Sequence, residues 1–266
     1  MSYVHGYSSR EAERLHEQAT SVQELLHADL SYGTGRRVLE AGCGTGEQTL
    51  VLAANSPEAR IVSVDLSNES LEIAKGRVAS AGYRNVEFMR ADLFALPFEN
   101  ASFDDLFVCF VLEHLREPLA ALRELRRFVR PGGTVTVFEG DHGSWYCHPQ
   151  TREAAQTVQC LIGVQAHLGG DALIGRRLYP LMIDAGFSDV HVLPRIVYVD
   201  DSRPRLVEGF SKNTFIAMVE GVREQAIGLG MIDEATWTKG IADMYRATEP
   251  GGTFCYTFFR GSGVTW

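Results

Sequence analysis

The chain has 266 residues, an ordinary balance of apolar and charged side chains, and a formal net charge of -9 with no long Lys or Arg run. That length allows one generous domain or a domain with a lid. The acidic balance argues against nonspecific nucleic-acid binding, which relies on cationic side chains to neutralise phosphates. The longest near-unbroken apolar run, Leu106 to Leu112, is far too short to span a bilayer. The amino terminus lacks an apolar signal core, and five scattered cysteines do not make a disulfide frame. The expectation is a cytoplasmic protein with reduced cysteines, bound to no membrane and no nucleic acid.

In chain order, Ser8 and Glu11 have the spacing of a capping box, and Leu15, Ala19, Val22 and Leu26 share one helical face. Residues 1–35 thus read as a helical cap closed by the turn "SYGTG", Ser31 to Gly35. From Arg36 strands and helices alternate. "RRVLEAG", "RIVSVDLS", "VEFMRAD", "FDDLFVCF" and "TVTVFEG" read as strands, the fourth apolar enough to be buried on both faces. "EQTLVLAAN", "ESLEIAKGRVASAG" and "PLAALRELRRFVR" read as the intervening helices, the last ended by a "PGG" turn. This alternation predicts an α/β chain with a doubly wound, mostly parallel sheet. Further on, Thr151 to Leu168 and Asp171 to Phe187 read as helices, the second interrupted at Pro180. "DVHVLPRIVYVD" reads as a strand, Arg203 to Tyr245 as amphipathic helix, and "GGTFCYTFFRG" as the final strand. The expected organisation is a single domain: a binding core over 36–150, then 151–266 completing the sheet, with helical lid insertions near 151–170 and 203–247.

The stretch "VLEAGCGTGEQT", Val38 to Thr49, puts Gly42, Gly44 and Gly46 in the first strand-to-helix turn. Open parallel sheets bind ligands there. Glycines permit positive φ and close approach, and the helix start offers free N–H groups. The spacing is not the G-x-G-x-x-G of a dinucleotide loop, and no lysine follows for a phosphate cradle. Glu40 would oppose a pyrophosphate and suits a cationic amino group. Asp65, ending the second strand, can accept from both hydroxyls of a ribose, or cap the helix that begins in "LSNES". Asp92 in "RADLF" can accept from an adenine amino group, or simply form a turn.

"VLEAGCGTG", "VDLS", "ADLFALPF", "FDDLFVCFVLEHL" and "VRPGG" stand in an order and spacing that resembles the class I S-adenosylmethionine-dependent methyltransferases. Within that superfamily the chain is most similar to small-molecule methyltransferases of the ubiquinone/menaquinone type and their natural-product relatives. The resemblance implies a Rossmann-like, seven-stranded sheet with an antiparallel last strand, S-adenosylmethionine as cofactor and S-adenosylhomocysteine as product. It implies that Glu40, Gly42, Gly44 and Gly46 hold the methionine moiety, with Cys43 also cofactor-binding, Asp65 on the ribose and Leu66 on the adenine face. It also implies Asp92 and Leu93 at the adenine edge, the Cys109 backbone accepting from the ammonium, and His114 beneath the methionine end.

Methyl transfer is an in-line displacement that depends on positioning, with a base needed only for a protonated acceptor. The segment "EGDHGSWYCHP", Glu139 to Pro149, reads as the loop bordering the transfer site. There Asp141 and His142 would orient or deprotonate the acceptor, and Trp145 and Tyr146 would wall it, beside Glu113. Asp141, His142, Cys147 and His148 lack a second cluster with zinc spacing, so no metal is expected. In "YVHGYS", Tyr7 would close the site near the methyl group, with Tyr3 and His5 toward the acceptor, unless the terminus frays. The leading reading is methyl transfer to N or O of a small molecule. A nucleic-acid or protein methyltransferase is disfavoured by the charge and by "CFVLEH" where an N-P-P-Y-like tetrapeptide would stand. A non-methylating S-adenosylmethionine-binding protein or partner subunit stays open, and apolar terminal helices suit a homodimer.

Overall fold

The structure, a computed structural model, describes Val22 and residues 25–266. Its strands are β1 (Arg37–Ala41), β2 (Arg60–Asp65), β3 (Val86–Arg90), β4 (Phe103–Cys109), β5 (Val129–His148), β6 (Ser188–Val199) and β7 (Thr253–Val264). Its helices are α1 (Glu47–Asn55), α2 (Asn68–Ser80), α3 (Pro118–Arg126), α4 (Arg152–His167), α5 (Leu178–Asp184), α6 (Arg223–Gly228) and α7 (Glu234–Arg246). Short 3₁₀ turns lie at Leu112–His114 and Ile174–Arg177, and a helical stretch over 204–220 contains π-type turns at Val207–Ile216.

The seven strands form one sheet in the order β3-β2-β1-β4-β5-β7-β6. The first five pair in parallel. β7 is antiparallel, as Gly132 N donating to Thr265 O and Thr257 N donating to Ser144 Oγ show by their opposed direction. The chain leaves β3 at one edge and returns beside β1 as β4. Strand order therefore reverses between β1 and β4, the place where a parallel sheet opens a crevice at its carboxyl ends.

The chain divides into two compact units. One contains His27–Glu139, Gly175–Pro194 and Phe259–Trp266. Its core is the apolar run of β1, β2 and β4, with Val38, Leu39, Val64, Leu106 and Val108 fully buried. Buried Leu52 of α1, Leu71 and Ala74 of α2, and Leu122 and Leu125 of α3 complete it. The other unit contains Gly140–Ile174 and Arg195–Phe258 with the described residues up to Leu26. Its centre is aromatic: Phe210, Phe215, Phe254, Tyr256 and Phe258 meet with ring centroids 4.8 to 5.9 Å apart. The π-type turns explain part of this, because a five-residue turn puts Phe210 and Phe215 on one face. Thr214 Oγ1 donates to Gly209 O, five residues back, on the same turn.

Three expectations need correction. The "PGG" turn is a bulge within β5: Phe103 pairs with Val129 but Asp105 pairs with Thr134, so the intervening residues loop out. The segment expected as a loop after the fifth strand is strand as far as His148. Trp145 and Cys147 are buried while Tyr146 and His148 are exposed, the period of two that a strand imposes. Two glycines and several polar residues hid that alternation. Finally, Pro180 does not break a helix; it sits in the first turn of α5, where its missing N–H is not needed.

Candidate functional site

The turn after β1 is tied down by the end of β2. Gly42 N and Cys43 N both donate to Val64 O, at 2.8 and 3.0 Å, and Gly44 N donates to Asp65 Oδ2 at 2.8 Å. Arg77 of α2 donates to Thr45 O at 2.9 Å and pairs with Glu47, the first residue of α1. The three glycines have φ of +76°, +52° and +83°, all left-handed.

They are not equivalent. A Cβ on Gly42 would fall 2.6 Å from Val111 Cγ2, and one on Gly46 would fall 2.7 Å from Ala74 Cβ. Both are glycine because neighbouring side chains occupy the space. A Cβ on Gly44 would meet nothing within 4 Å. Gly44 alone presents bare backbone to open space.

Glu40 lies beneath this turn and is only 2% exposed. Its Oε2 accepts from Thr49 Oγ1 at 2.7 Å and Ser63 Oγ at 2.6 Å. Its Oε1 is buried with no hydrogen-bond partner among the described residues. Burial pushes this carboxyl up to about 7, against the pull of the two hydroxyls and with a push from Asp65. An anion stripped of water with an unsatisfied oxygen calls for a cationic donor.

Asp65 spends one lone pair on each oxygen: Oδ2 on Gly44 N and Oδ1 on Ser67 N. These bonds fix the carboxylate plane and leave further acceptor capacity on both oxygens. It does not cap α2; Ser67 does, through its hydroxyl and Ser70 N. The β2–β3 register pairs Asp65 with Arg90, which brings Leu66 and Asp92 to the same carboxyl edge. Leu66 is an exposed large apolar side chain, as is Phe94, which the sequence reading passed over. Leu93 is half-buried, and Asp92 closes a turn, its Oδ1 accepting from Phe94 N at 3.0 Å.

At the end of β4, Cys109 is buried and its thiol is pushed up by desolvation, then by the charges of Glu139, Glu40 and Glu113. Three carboxyls therefore gather around this strand end. Glu113 is itself buried, and His114 Nε2 stands 3.7 Å from its Oε1. Glu139, absent from the sequence-based site, is completely buried and accepts Val111 N and Leu112 N on Oε1, at 3.0 and 2.7 Å.

Glu40, Gly42, Cys43, Gly44, Gly46, Asp65, Leu66, Asp92, Leu93, Cys109, Glu113 and His114 thus all belong to the first unit. Asp141, His142, Trp145 and Tyr146 belong to the second. There His142 is buried, with Nδ1 2.7 Å from Tyr256 Oη and its main-chain N–H on Ala172 O. Asp141 is buried and accepts from Gly143 N at 2.9 Å. The Trp145 ring packs 5.9 Å from that of Phe215, and Tyr146 is exposed. Tyr3, His5 and Tyr7 lie outside the described residues. Among the described residues no three His, Cys, Asp or Glu side chains are placed to hold a metal ion, and no helix is long and apolar enough to cross a membrane.

A family model described as "Methyltransferase domain" matches residues 39–137, the segment that builds this turn and its acidic neighbours. Over that segment the chain is similar to the class I S-adenosylmethionine-dependent methyltransferases. It is 32% identical over 207 residues to an uncharacterized 37.1 kDa protein in a transposon of Streptomyces fradiae, across 77% of this chain and 59% of that one. It is 34% identical to the demethylmenaquinone methyltransferase of Lactococcus lactis, across 45% of this chain and 48% of that one. The chain thus spans about half the length of the curated relatives it matches. Among solved structures, a Haemonchus contortus phosphoethanolamine N-methyltransferase complexed with S-adenosylhomocysteine and phosphomonomethylethanolamine is similar in fold. The TM-score is 0.57 at 17% identity, over 92% of this chain and 52% of that one.

Proposed function

We propose that this chain binds S-adenosylmethionine in the turn after β1 and transfers its methyl group to nitrogen or oxygen of a small molecule. The observation that carries the cofactor reading is the buried Glu40 Oε1, partnerless among the described residues, below a turn whose Gly44 faces open space. A cationic amino group fits that oxygen; a pyrophosphate would be repelled by it. Asp65, already aligned by two backbone N–H groups, accepts the ribose hydroxyls. Leu66 offers an apolar face to the adenine, and Asp92 accepts at its edge. His114 and the Cys109 carbonyl serve the methionine end.

When bound, the cofactor supplies an electrophilic methyl on a sulfonium. What this chain contributes is positioning and the exclusion of water. On the acceptor side, His142 is assigned as base and Trp145, whose ring packs on the same Phe215 as the His142 ring, as a wall residue. The Tyr256 contact sets a condition on that role. Nε2 of neutral His142 takes a proton from the acceptor only in the tautomer whose Nδ1–H donates to Tyr256 Oη.

The test is formation of S-adenosylhomocysteine by the purified chain with separate panels of phenolic, quinol and amine acceptors. Acceptor-dependent product supports the reading. Tight S-adenosylmethionine binding with no turnover on any panel would favour a non-methylating binder or partner subunit. Turnover only on nucleic acid or protein would favour the macromolecular alternative.

A further inference from the structure

Glu139 has no role in the motifs that define the site, yet it connects the end of β4 to the glycine turn. β5 lies parallel to β4 with Phe138 opposite Cys109. Three successive N–H groups beyond Cys109 are held from this one place: Phe110 N by Phe138 O, then Val111 N and Leu112 N by Glu139 Oε1. Phe110 has φ of +56°, a conformation that a non-glycine residue keeps only when its surroundings enforce it. Leu112–His114 then winds into a 3₁₀ turn, with His114 N on Val111 O. The side chain of Val111 is the one that fills the space beside Gly42.

We infer that Glu139 is a positioning residue for the cofactor turn: by bridging Val111 N and Leu112 N it fixes Val111, and Val111 in turn fixes Gly42. Only one acceptor oxygen is required for this. Glutamine keeps that oxygen and alanine removes it, leaving two donors inside the protein without their acceptor.

The inference uses the S-adenosylmethionine reading for one of its two tests and not for the other. The independent test is amide hydrogen exchange on the full chain. Glu139→Ala should speed exchange at 110–114 and also at 42–46, while Glu139→Gln should leave both at the wild-type rate. The dependent test is titration with S-adenosylmethionine. Glu139→Ala should weaken binding about tenfold to a hundredfold, and Glu139→Gln should stay within about threefold of wild type. In a Val111→Ala background the same Glu139→Ala change should have a much smaller effect, because the link has already been cut. A purely structural acid would lower thermal stability without that non-additivity. Should Glu139→Ala fail to fold, Glu139→Asp, which withdraws the acceptor by one methylene, takes its place. Folded variants whose exchange at 42–46 matches wild type would overturn the inference. A wild type that binds no S-adenosylmethionine, but shows the coupled exchange, would overturn the cofactor reading and leave this one standing.

Discussion

Replacing Glu40 by glutamine should change how stability depends on pH, and the size of the change follows from the site. Glu40 is 2% exposed, two hydroxyls hold Oε2, and no cation among the described residues offsets its charge at Oε1. Burial raises its carboxyl from the ordinary 4.5 to about 7. Below pH 4.5 both folded and unfolded chains hold the proton. Between there and pH 7 the folded protein holds a proton that the unfolded chain has lost, so stability falls as pH rises. Above pH 7 the full penalty, about 3 kcal/mol, is in place and the curve is flat again. Glu40→Gln mimics the protonated acid at every pH. Urea denaturation of ligand-free protein from pH 4.5 to 8 should therefore show the glutamine variant gaining on wild type up to pH 7, then running parallel to it. A cationic ligand reverses the preference. S-adenosylmethionine should bind wild type more tightly as pH rises toward 7, with a slope approaching tenfold per pH unit and a proton released on binding. A constant difference between the two proteins across the whole range would refute the buried-anion argument.

The glycines should separate by role. Gly44→Ala keeps the fold, at about 1 kcal/mol for its left-handed backbone, yet loses S-adenosylmethionine in a binding titration; Gly46→Ala forces a Cβ against Ala74 and lowers the melting temperature instead. Tyr256→Phe removes the hydroxyl 2.7 Å from His142 Nδ1, and should lower turnover on protonated acceptors while leaving the S-adenosylmethionine Kd unchanged. Equal turnover by the two proteins in a pH–rate profile would remove His142 from the base role. Gly240 of α7 lies where a Cβ would run into Thr157 Oγ1 and Glu153 O of α4. Gly240→Ala should destabilise by about 1–3 kcal/mol of overpacking, read by denaturant titration, without altering cofactor affinity.

The glycine turn, its acidic neighbours and the strand–helix alternation were legible because each is local. A turn needs positive φ within a few residues, and a buried parallel strand must be apolar along its length. What was hidden depends on distance. Glu139 meets Val111 from 28 residues away, and His142 meets Tyr256 from 114. Nothing in either neighbourhood marks the partner. The spacing of Gly42, Gly44 and Gly46 was visible, but not that two of them make room for Val111 and Ala74 while one faces open space. The extension of β5 to His148 was masked by Gly140 and Gly143. Gly140 is required there by the Tyr256 hydroxyl, which a Cβ would strike.

The central claim is that the turn after β1 was shaped for a cationic sulfonium nucleoside. Calorimetric titration of the wild-type chain and of Asp65→Ala with S-adenosylmethionine, S-adenosylhomocysteine and NAD tests it most directly. The account predicts micromolar binding of the first two to wild type, loss of both in the variant, and no binding of NAD. A folded wild-type chain that binds neither S-adenosyl compound, or that binds NAD, would contradict it.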